Sequence, residues 1–467
     1  MPRHRLICEV VLLATLVTSL TFAAGWIYPV WDDGRMMLKI QESGADAIWA
    51  NFAHRPLVAA FYAFLFNHQL LLPVGIVLHW TAWLGMGLVT MHLWRIMFPA
   101  FSEFALLPGL LSVAPLLCKM QLVLTTIVTE TLIEPVLTFL AVFMLLWEGS
   151  SSSRKLFFRA LGLTIISFAI LLSEYSVVTA IVGFILVGSK AIHGSSERKR
   201  EGIIVAALIA GCVLLSYSLF LWLNRNSGFV PYRPSYILDV PSWRVRGIPF
   251  RWLSGIWRGA IGGFLESLGS VTLNSKLALL SFVCGLVVAG LTVLILRRRG
   301  TAEFGLKQDR FSAITLLVCL AVALIPVLLM DRRLESRFES RFWLGVLPVV
   351  STLSVYILLY VLKSRLYILV PALCGFLAGY WTTLEIGSAV RDPKSLTGFA
   401  PHFDYQVADC INVEVGKNSE EQSESVPGNL HEFCENASRF DQTRIQILIP
   451  DCVSGDVRSN SPFGNIA

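Results

Sequence analysis

Two adjacent carboxylates follow the first long apolar run of the chain, in the stretch WDDGRMMLK at residues 31 to 39. Asp32 and Asp33 are followed by Arg35, and all three lie where the apolar run ends and a polar segment begins. A carboxylate at such a point can take a proton from an attacking hydroxyl, provided that it stays ionised and within hydrogen-bond distance. Because two acids in a polar loop are more often simply solvated, the pair alone is a weak signal.

A second group of charged residues lies in MDRRLESRFESRFWLGVLP, residues 330 to 348, between two later apolar runs. It contains four arginines, Arg332, Arg333, Arg337 and Arg341. Guanidinium groups bind phosphate in a bidentate manner, so a lipid phosphate is a natural ligand. The alternative is that the arginines pair with the neighbouring acids or with anionic lipid headgroups.

A third candidate is Glu174, which lies between two apolar runs in LLSEYSVV at residues 171 to 178. Ionisable side chains at membrane depth are costly and are functional candidates for that reason. The alternative is an acid in a hinge that reaches water. Glu174 is therefore a possible residue of a cleft.

The composition shows in which environment these residues work. The 467 residues are 55% hydrophobic and 15% charged, with a mean hydropathy of +0.65, whereas soluble domains have about 25% charged residues. Long apolar runs such as residues 203 to 223 predict spanning helices and exclude a β-barrel, whose strands are short and alternate. We predict an all-α polytopic membrane protein.

About eleven apolar windows are long enough to cross roughly 30 Å of hydrocarbon. They cover approximately residues 7 to 28, 69 to 97, 104 to 124, 131 to 147, 156 to 172, 175 to 189, 203 to 223, 277 to 296, 311 to 330, 342 to 362 and 367 to 385.

Lysine and arginine predict the orientation of these windows, because cytoplasmic segments are enriched in both. With a cytoplasmic N-terminus, all the cytoplasmic segments are basic, at residues 2 to 5, 153 to 159, 190 to 200, 297 to 310 and 363 to 365. The net charge of +6 thus reflects topology, and nucleic acid is not expected as a partner. The first window could instead be a cleaved signal peptide, but its length favours a membrane span.

This orientation divides the chain into a transmembrane domain, residues 1 to 385, and an extracytoplasmic C-terminal tail, residues 386 to 467. The domain has large outer loops at residues 31 to 68 and 224 to 276. The tail contains three cysteines, two of which could form a disulfide outside the cytoplasm; they are Cys410, Cys434 and Cys452.

The two outer loops carry features of the membrane surface. In the first, His54, Arg55 and Pro56 precede a stretch of about ten apolar residues, Leu57 to Phe66, which is too short to span and predicts an interfacial helix. In the second, tryptophans alternate with arginines over residues 241 to 259, as in a helix at the headgroup level.

No metal-ligand spacing, P-loop or dinucleotide motif occurs, and the scattered histidines, such as His79 and His92, are expected in the core or at the interface.

In combination, these motifs resemble the GT-C superfamily of polytopic glycosyltransferases, whose donors are sugars linked to a lipid phosphate. The motifs are Asp32-Asp33-Gly34-Arg35 after the first helix, then Arg55-Pro56-Leu57 before a long second span. The pattern is similar to phage-type O-antigen glucosyltransferases. It is also similar to tetratricopeptide-linked mannosyltransferases, through Trp31-Asp32-Asp33, Ser173-Glu174 and Arg341-Phe342-Trp343-Leu344 with Pro348. It covers roughly residues 7 to 385, but the Lys before Glu174 and the tetratricopeptide repeats are missing.

The resemblance implies a role for each matching residue. Asp32 would be the general base, with Asp33 orienting it or sharing its role. Arg341, with Arg337, would hold the donor phosphate, and the remaining two arginines of the motifs, Arg35 and Arg55, would line the same cleft.

The implied partners are a polyprenyl-phosphate sugar, membrane lipids and a glycan, lipid or protein acceptor. No cofactor and no metal are expected, and the implied location is the inner membrane of a bacterium, with a periplasmic C-terminus.

Three other functions fit the sequence less well. A transporter or flippase for a lipid-linked sugar would place its ionisable residues near the middle of the bilayer and would usually contain internal repeats; neither feature is visible. A non-catalytic subunit that anchors the tail would not depend on Asp32. An O-antigen polymerase or ligase would fit the arginine-rich outer loops nearly as well.

Overall fold

The structure is a computed structural model. It describes residues 3–27, 44–52, 55–68, 70–114, 130–147, 152–173, 176–192, 196–226, 250, 275–296, 310–323, 344–366 and 369–391.

Helices account for nearly all of the described residues, and no strand occurs among them. The chain order is α1 (Arg3–Ile27), α2 (Ala45–Asn51), α3 (Pro56–Asn67), α4 (Leu71–Met97), a 3-10 helix (Pro99–Phe104), α5 (Leu106–Val113), α6 (Glu130–Leu145), α7 (Ser152–Leu172), α8 (Ser176–Ile192), α9 (Ser196–Asn226), α10 (Ser275–Leu296), α11 (Arg310–Ala323), α12 (Leu347–Leu366) and α13 (Leu369–Arg391).

Five of these helices are long and apolar enough to cross a membrane within the described ranges. The qualifying segments are His4–Phe22, Pro73–Met97, Ser152–Leu172, Lys199–Leu223 and Lys276–Leu296. Six shorter apolar helices accompany them. For the described residues, the prediction of a helical, membrane-embedded protein is confirmed, since the internal hydrogen bonds of a helix satisfy the backbone in lipid; the count of about eleven spans stays a prediction.

Helices α1 and α4 pack antiparallel, and their contacts define two ends of the structure. At one end, Arg95 near the end of α4 donates a hydrogen bond to Glu9 near the start of α1 (3.0 Å). Towards the other end, Thr21 of α1 contacts His79 of α4 (3.0 Å between Oγ1 and Nδ1). We call these the Arg5 end and the Ile27 end, after residues near the two ends of α1.

Two more helices, α6 and α8, run in the same direction as α4. The ring of His92 lies 4.5 Å from that of Phe143 on α6, and α6 follows α4 from its Gly85–Val136 contact to this pair. Helix α8 lies beside α6, and Glu134 and Ser176, near the starts of these two helices, contact each other. Residue 345 contacts the first turn of α8, so residues 344–346 also lie at the Ile27 end.

Glycines allow two late helices to pack closely. A Cβ added to Gly379 of α13 would lie 2.8 Å from the carbonyl oxygen of Cys284 on α10, and one added to Gly375 would lie 2.9 Å from Cα of Ala289. Both distances are below normal van der Waals contact. Small residues let two membrane helices approach this closely, and at these two positions the distances leave room only for glycine.

The apolar stretch from Leu57 to Phe66 is helical, as predicted, and lies within α3. Its position relative to a membrane stays a prediction. The last helix continues to Arg391, six residues beyond the predicted domain boundary at 385. The remainder of the predicted tail, including its three cysteines, lies outside the described residues, and the division into two domains stays a prediction.

Candidate functional site

The predicted site residues fall mostly outside the described part of the chain. Of the seven, the structure describes Arg55. The others lie outside the described residues: Asp32, Asp33, Arg35, Glu174, Arg337 and Arg341. Their roles therefore stay predictions, and the candidate site is characterised through the described residues that flank them.

Arg55 is buried, with 6% of its surface exposed, directly before α3. Its backbone N–H donates to the carbonyl oxygen of Phe52 (2.7 Å), and its own carbonyl oxygen accepts from Ala59 (2.9 Å). Pro56 follows at the first helical position, where its fixed φ suits the start of a helix. These constraints hold the backbone of Arg55 on both sides. A buried guanidinium at this point is consistent with its predicted position in a cleft.

The helix after Arg55 is anchored by an apolar cluster that it forms with α2. Ile48 and Phe52 pack there against Val58 and Tyr62, and the rings of Phe52 and Tyr62 lie 5.2 Å apart. Leu172, the last residue of α7, packs against the same cluster. This contact brings the segment that precedes Glu174 to the helix that follows Arg55.

A buried carboxylate lies beside the other flank of Glu174. Glu134, in the first turns of α6, is 1% exposed. The hydroxyl oxygen of Ser176 lies 3.3 Å from its Oε2 and 2.9 Å from the carbonyl oxygen of Ala169. Ser176 therefore links α6 to the end of α7, and Ser173, also fully buried, lies in the same turn.

The flank of the arginine-rich segment reaches the same region. Gly345 follows Arg341 by four residues, and its carbonyl oxygen lies 3.4 Å from Oγ1 of Thr179 on α8. A Cβ added to Gly345 would lie 3.0 Å from the same oxygen atom. Since Thr179 lies one turn after Ser176, the arginine-rich segment ends beside the helix that begins after Glu174.

The last turns of α1 complete this arrangement. Besides the contact between Thr21 and His79, Nε1 of Trp80 donates a hydrogen bond to Oγ1 of Thr18 (3.0 Å). These contacts hold α1 against α4 about two turns before Ile27, and Asp32 follows Ile27 by five residues. Described flanks of all the predicted site segments thus lie at the Ile27 end.

Sequence reasoning missed Glu134. Its signal was available, because an acid occurs inside the apolar window at residues 131 to 147, and acids at membrane depth are functional candidates. The two named histidines, His79 and His92, were expected in the core or at the interface. His79 is fully buried beside Thr21, while His92 is exposed and forms a T-shaped ring contact with Phe143.

A second polar cluster, also missed, lies at the Arg5 end. Glu9 is fully buried and accepts hydrogen bonds from Arg5 (2.9 Å) and Arg95 (3.0 Å). Arg5 also donates to the carbonyl oxygen of Glu103, in the 3-10 helix. An acid inside the first apolar window, four residues after Arg5, was the sequence signal. Because the acid and the two bases satisfy one another, this cluster has the character of a structural ion pair.

Metal ligands do not gather in the described residues: no group of three His, Cys, Asp or Glu side chains there could hold a metal ion. The predicted acids of the first loop, Asp32 and Asp33, lie outside the described residues. The expectation that no metal takes part therefore stays a prediction.

Comparisons with family models, curated proteins and solved structures returned no match for this chain.

Proposed function

We propose that this protein is a membrane glycosyltransferase that moves a sugar from a polyprenyl-phosphate donor to a glycan, lipid or protein acceptor. The observation that carries the proposal is the meeting of described flanks at the Ile27 end. Leu172 packs on the helix that follows Arg55, and Thr179 contacts Gly345, four residues after Arg341. Segments far apart in the sequence, each with its own chemical capacity, therefore have their ends close together.

The proposed reaction is a single displacement with inversion. Asp32 takes the proton of an acceptor hydroxyl while the hydroxyl oxygen attacks the anomeric carbon. The bond from that carbon to the phosphate oxygen breaks, and the electron pair leaves with the polyprenyl phosphate. Since the leaving group is already an anion, it needs charge stabilisation by Arg341 and Arg337 more than it needs a proton. Arg35 and Arg55 line the cleft, and Asp33 orients Asp32 or shares its role.

The proposal includes a topology of about eleven spans with a cytoplasmic N-terminus and a periplasmic C-terminus in the inner membrane of a bacterium. Its support is the basic character of all the segments assigned to the cytoplasmic side. With this orientation the Ile27 end faces the periplasm. The acids and arginines then lie at the outer surface, where the phosphate of a lipid-linked sugar would be.

The test is sugar transfer from a panel of radiolabelled polyprenyl-phosphate hexoses by the purified full chain, with extracted membrane or polysaccharide as acceptor. Asp32→Asn is expected to lower transfer by roughly 10² to 10⁴, the usual contribution of a general base, while donor binding persists. Arg341→Ala is expected to weaken donor binding itself. Asp46→Asn is the matched control, because Asp46 is an exposed acid of the same predicted loop without a proposed role.

Two results would count against the proposal. If the wild-type protein binds the lipid-linked sugar but transfers it to no acceptor, and Asp32→Asn binds it equally well, a transporter or subunit explains the residues better. If Asp32→Asn and Asp46→Asn lower transfer equally, Asp32 is not the base.

A further inference from the structure

An apolar groove runs along the side of the structure between α4 and α6, away from the candidate site. Its volume is about 450 Å³, within the range of ligand pockets, roughly 300 to 1,000 Å³. Apart from His92, its lining is apolar, and it includes Val89 on α4, Leu140 and Phe143 on α6, and Phe158 on α7.

The groove opens on the side of the structure. Four of its lining residues are more than one third exposed: His92, Leu88 (37%), Leu140 (41%) and Trp147 (39%). Helix α4 is one of the helices long and apolar enough to cross a membrane, and with α4 in a membrane this opening faces hydrocarbon. An apolar groove offers water few hydrogen-bond partners, whereas a flexible hydrocarbon chain needs none.

The length of the groove fits one leaflet. On α6 the lining runs from Val136 to Trp147, which is about 16 Å at 1.5 Å per helical residue. Half of a hydrocarbon core is about 15 Å thick. The groove begins near the middle of α4, at Gly85, and reaches the Arg5 end, so it matches a single acyl chain and not a chain that crosses the bilayer.

Positive charge lies at the mouth of the groove. Phe158 lines the groove, and its ring lies 4.5 Å from that of Trp147. Arg154 and Lys155 precede Phe158 by four and three residues on α7, and side chains at these spacings share one face of a helix. Arg154 is exposed and Lys155 is half-buried. An aromatic pair beneath two basic side chains is the arrangement expected at the headgroup level.

We propose that this groove binds an acyl chain of an anionic phospholipid, whose headgroup phosphate contacts Arg154 and Lys155. The site is independent of the proposed transferase chemistry, since it lies towards the Arg5 end and uses none of the predicted site residues. Tight seating of one lipid there fills the gap between α4 and α6.

The experiment uses the purified full chain in bilayer nanodiscs that contain a phosphatidylglycerol with a photoactivatable diazirine in its acyl chain. The matching phosphatidylcholine serves as the neutral probe. After illumination, mass spectrometry locates the labelled residues. We expect phosphatidylglycerol to label residues 136 to 147 more strongly than phosphatidylcholine, by up to roughly fivefold for each of the two basic side chains.

Three variants separate the groove from ordinary lipid contact. Leu140→Trp places a large ring in the groove and should abolish the labelling, while Leu215→Trp, at an exposed leucine of α9 (74%), should leave it unchanged. Arg154→Ala combined with Lys155→Ala lies at the surface and should equalise the two lipids, whatever Leu140→Trp does to folding. Equal labelling of residues 136 to 147 by both lipids in the wild-type protein would overturn the proposal, as would labelling of Leu140→Trp at the level of Leu215→Trp.

Discussion

Replacing Gly379 by alanine tests whether the close approach of α10 and α13 is required. The new Cβ would lie 2.8 Å from the carbonyl oxygen of Cys284 and 2.7 Å from a methyl of Val288. The first distance is about 0.6 Å below the 3.4 Å at which ordinary contact begins, and a backbone oxygen cannot rotate away. The helices must therefore separate by a similar amount, and overpacking of this kind costs typically about 1 to 3 kcal/mol.

Gly290→Ala is the matched control on α10. Nothing lies within 4 Å of the Cβ that this substitution adds. Both substitutions gain about 0.5 to 1 kcal/mol, because alanine suits a helix interior better than glycine, so this gain cancels between the two variants. The remaining difference in unfolding free energy should be the steric cost of about 1 to 3 kcal/mol.

The assay is heating of the purified full chain in detergent, followed by size-exclusion chromatography of the protein that remains monodisperse. With an unfolding entropy of about 2.1 cal/mol/K per residue, a change of 1 kcal/mol shifts the midpoint by roughly 1 °C in a chain of this size. Gly379→Ala should therefore lose its native form about 1 to 3 °C below Gly290→Ala. Equal midpoints would refute the inference that the seam excludes a side chain.

Three further experiments test the polar contacts. Glu9→Gln removes the negative charge between two guanidinium groups and should lower the unfolding free energy by about 3 kcal/mol or more. The loss should appear as a lower thermal midpoint in the same assay. Adding Arg95→Gln should restore part of the lost stability. Thr21→Val and His79→Phe, combined in a double-mutant cycle, should give a coupling of about 1 kcal/mol; additive effects would contradict the hydrogen bond. Glu134→Gln keeps an acceptor for the neighbouring serine and should change the unfolding free energy by less than about 1 kcal/mol. Transfer should nevertheless fall roughly tenfold or more if the buried charge serves the cleft; unchanged transfer would assign Glu134 a structural role.

The positions of the helices were largely readable from the sequence. Each predicted apolar window contains at least part of a described helix, because a run of about 20 apolar residues can satisfy its backbone in lipid only as a helix. The start of α3 could also be predicted from neighbouring residues, since Pro56 follows Arg55 and precedes ten apolar residues. The placement of Asp32 and Asp33 after the first window also required only the order of residues.

The partners of the buried polar groups needed the tertiary structure. Glu9 and Arg95 are 86 residues apart, and Glu134 and Ser176 are 42 apart; no periodicity in a single sequence links such positions. The sequence shows that each acid lies in an apolar window, which makes it expensive. Only the packing of helices decides what stabilises it.

The same division holds for the groove and for the glycine seam. Composition determined that this chain is helical and enters a membrane, because hydrophobicity and helix length are properties of consecutive residues. A Cβ added at Gly379 would meet a backbone oxygen, whereas one added at Gly290 would meet nothing within 4 Å. This difference depends on which face each helix turns to its neighbour. Likewise, the gap between α4 and α6 exists only because two packed helices leave space between their side chains, and that is a property of the tertiary structure alone.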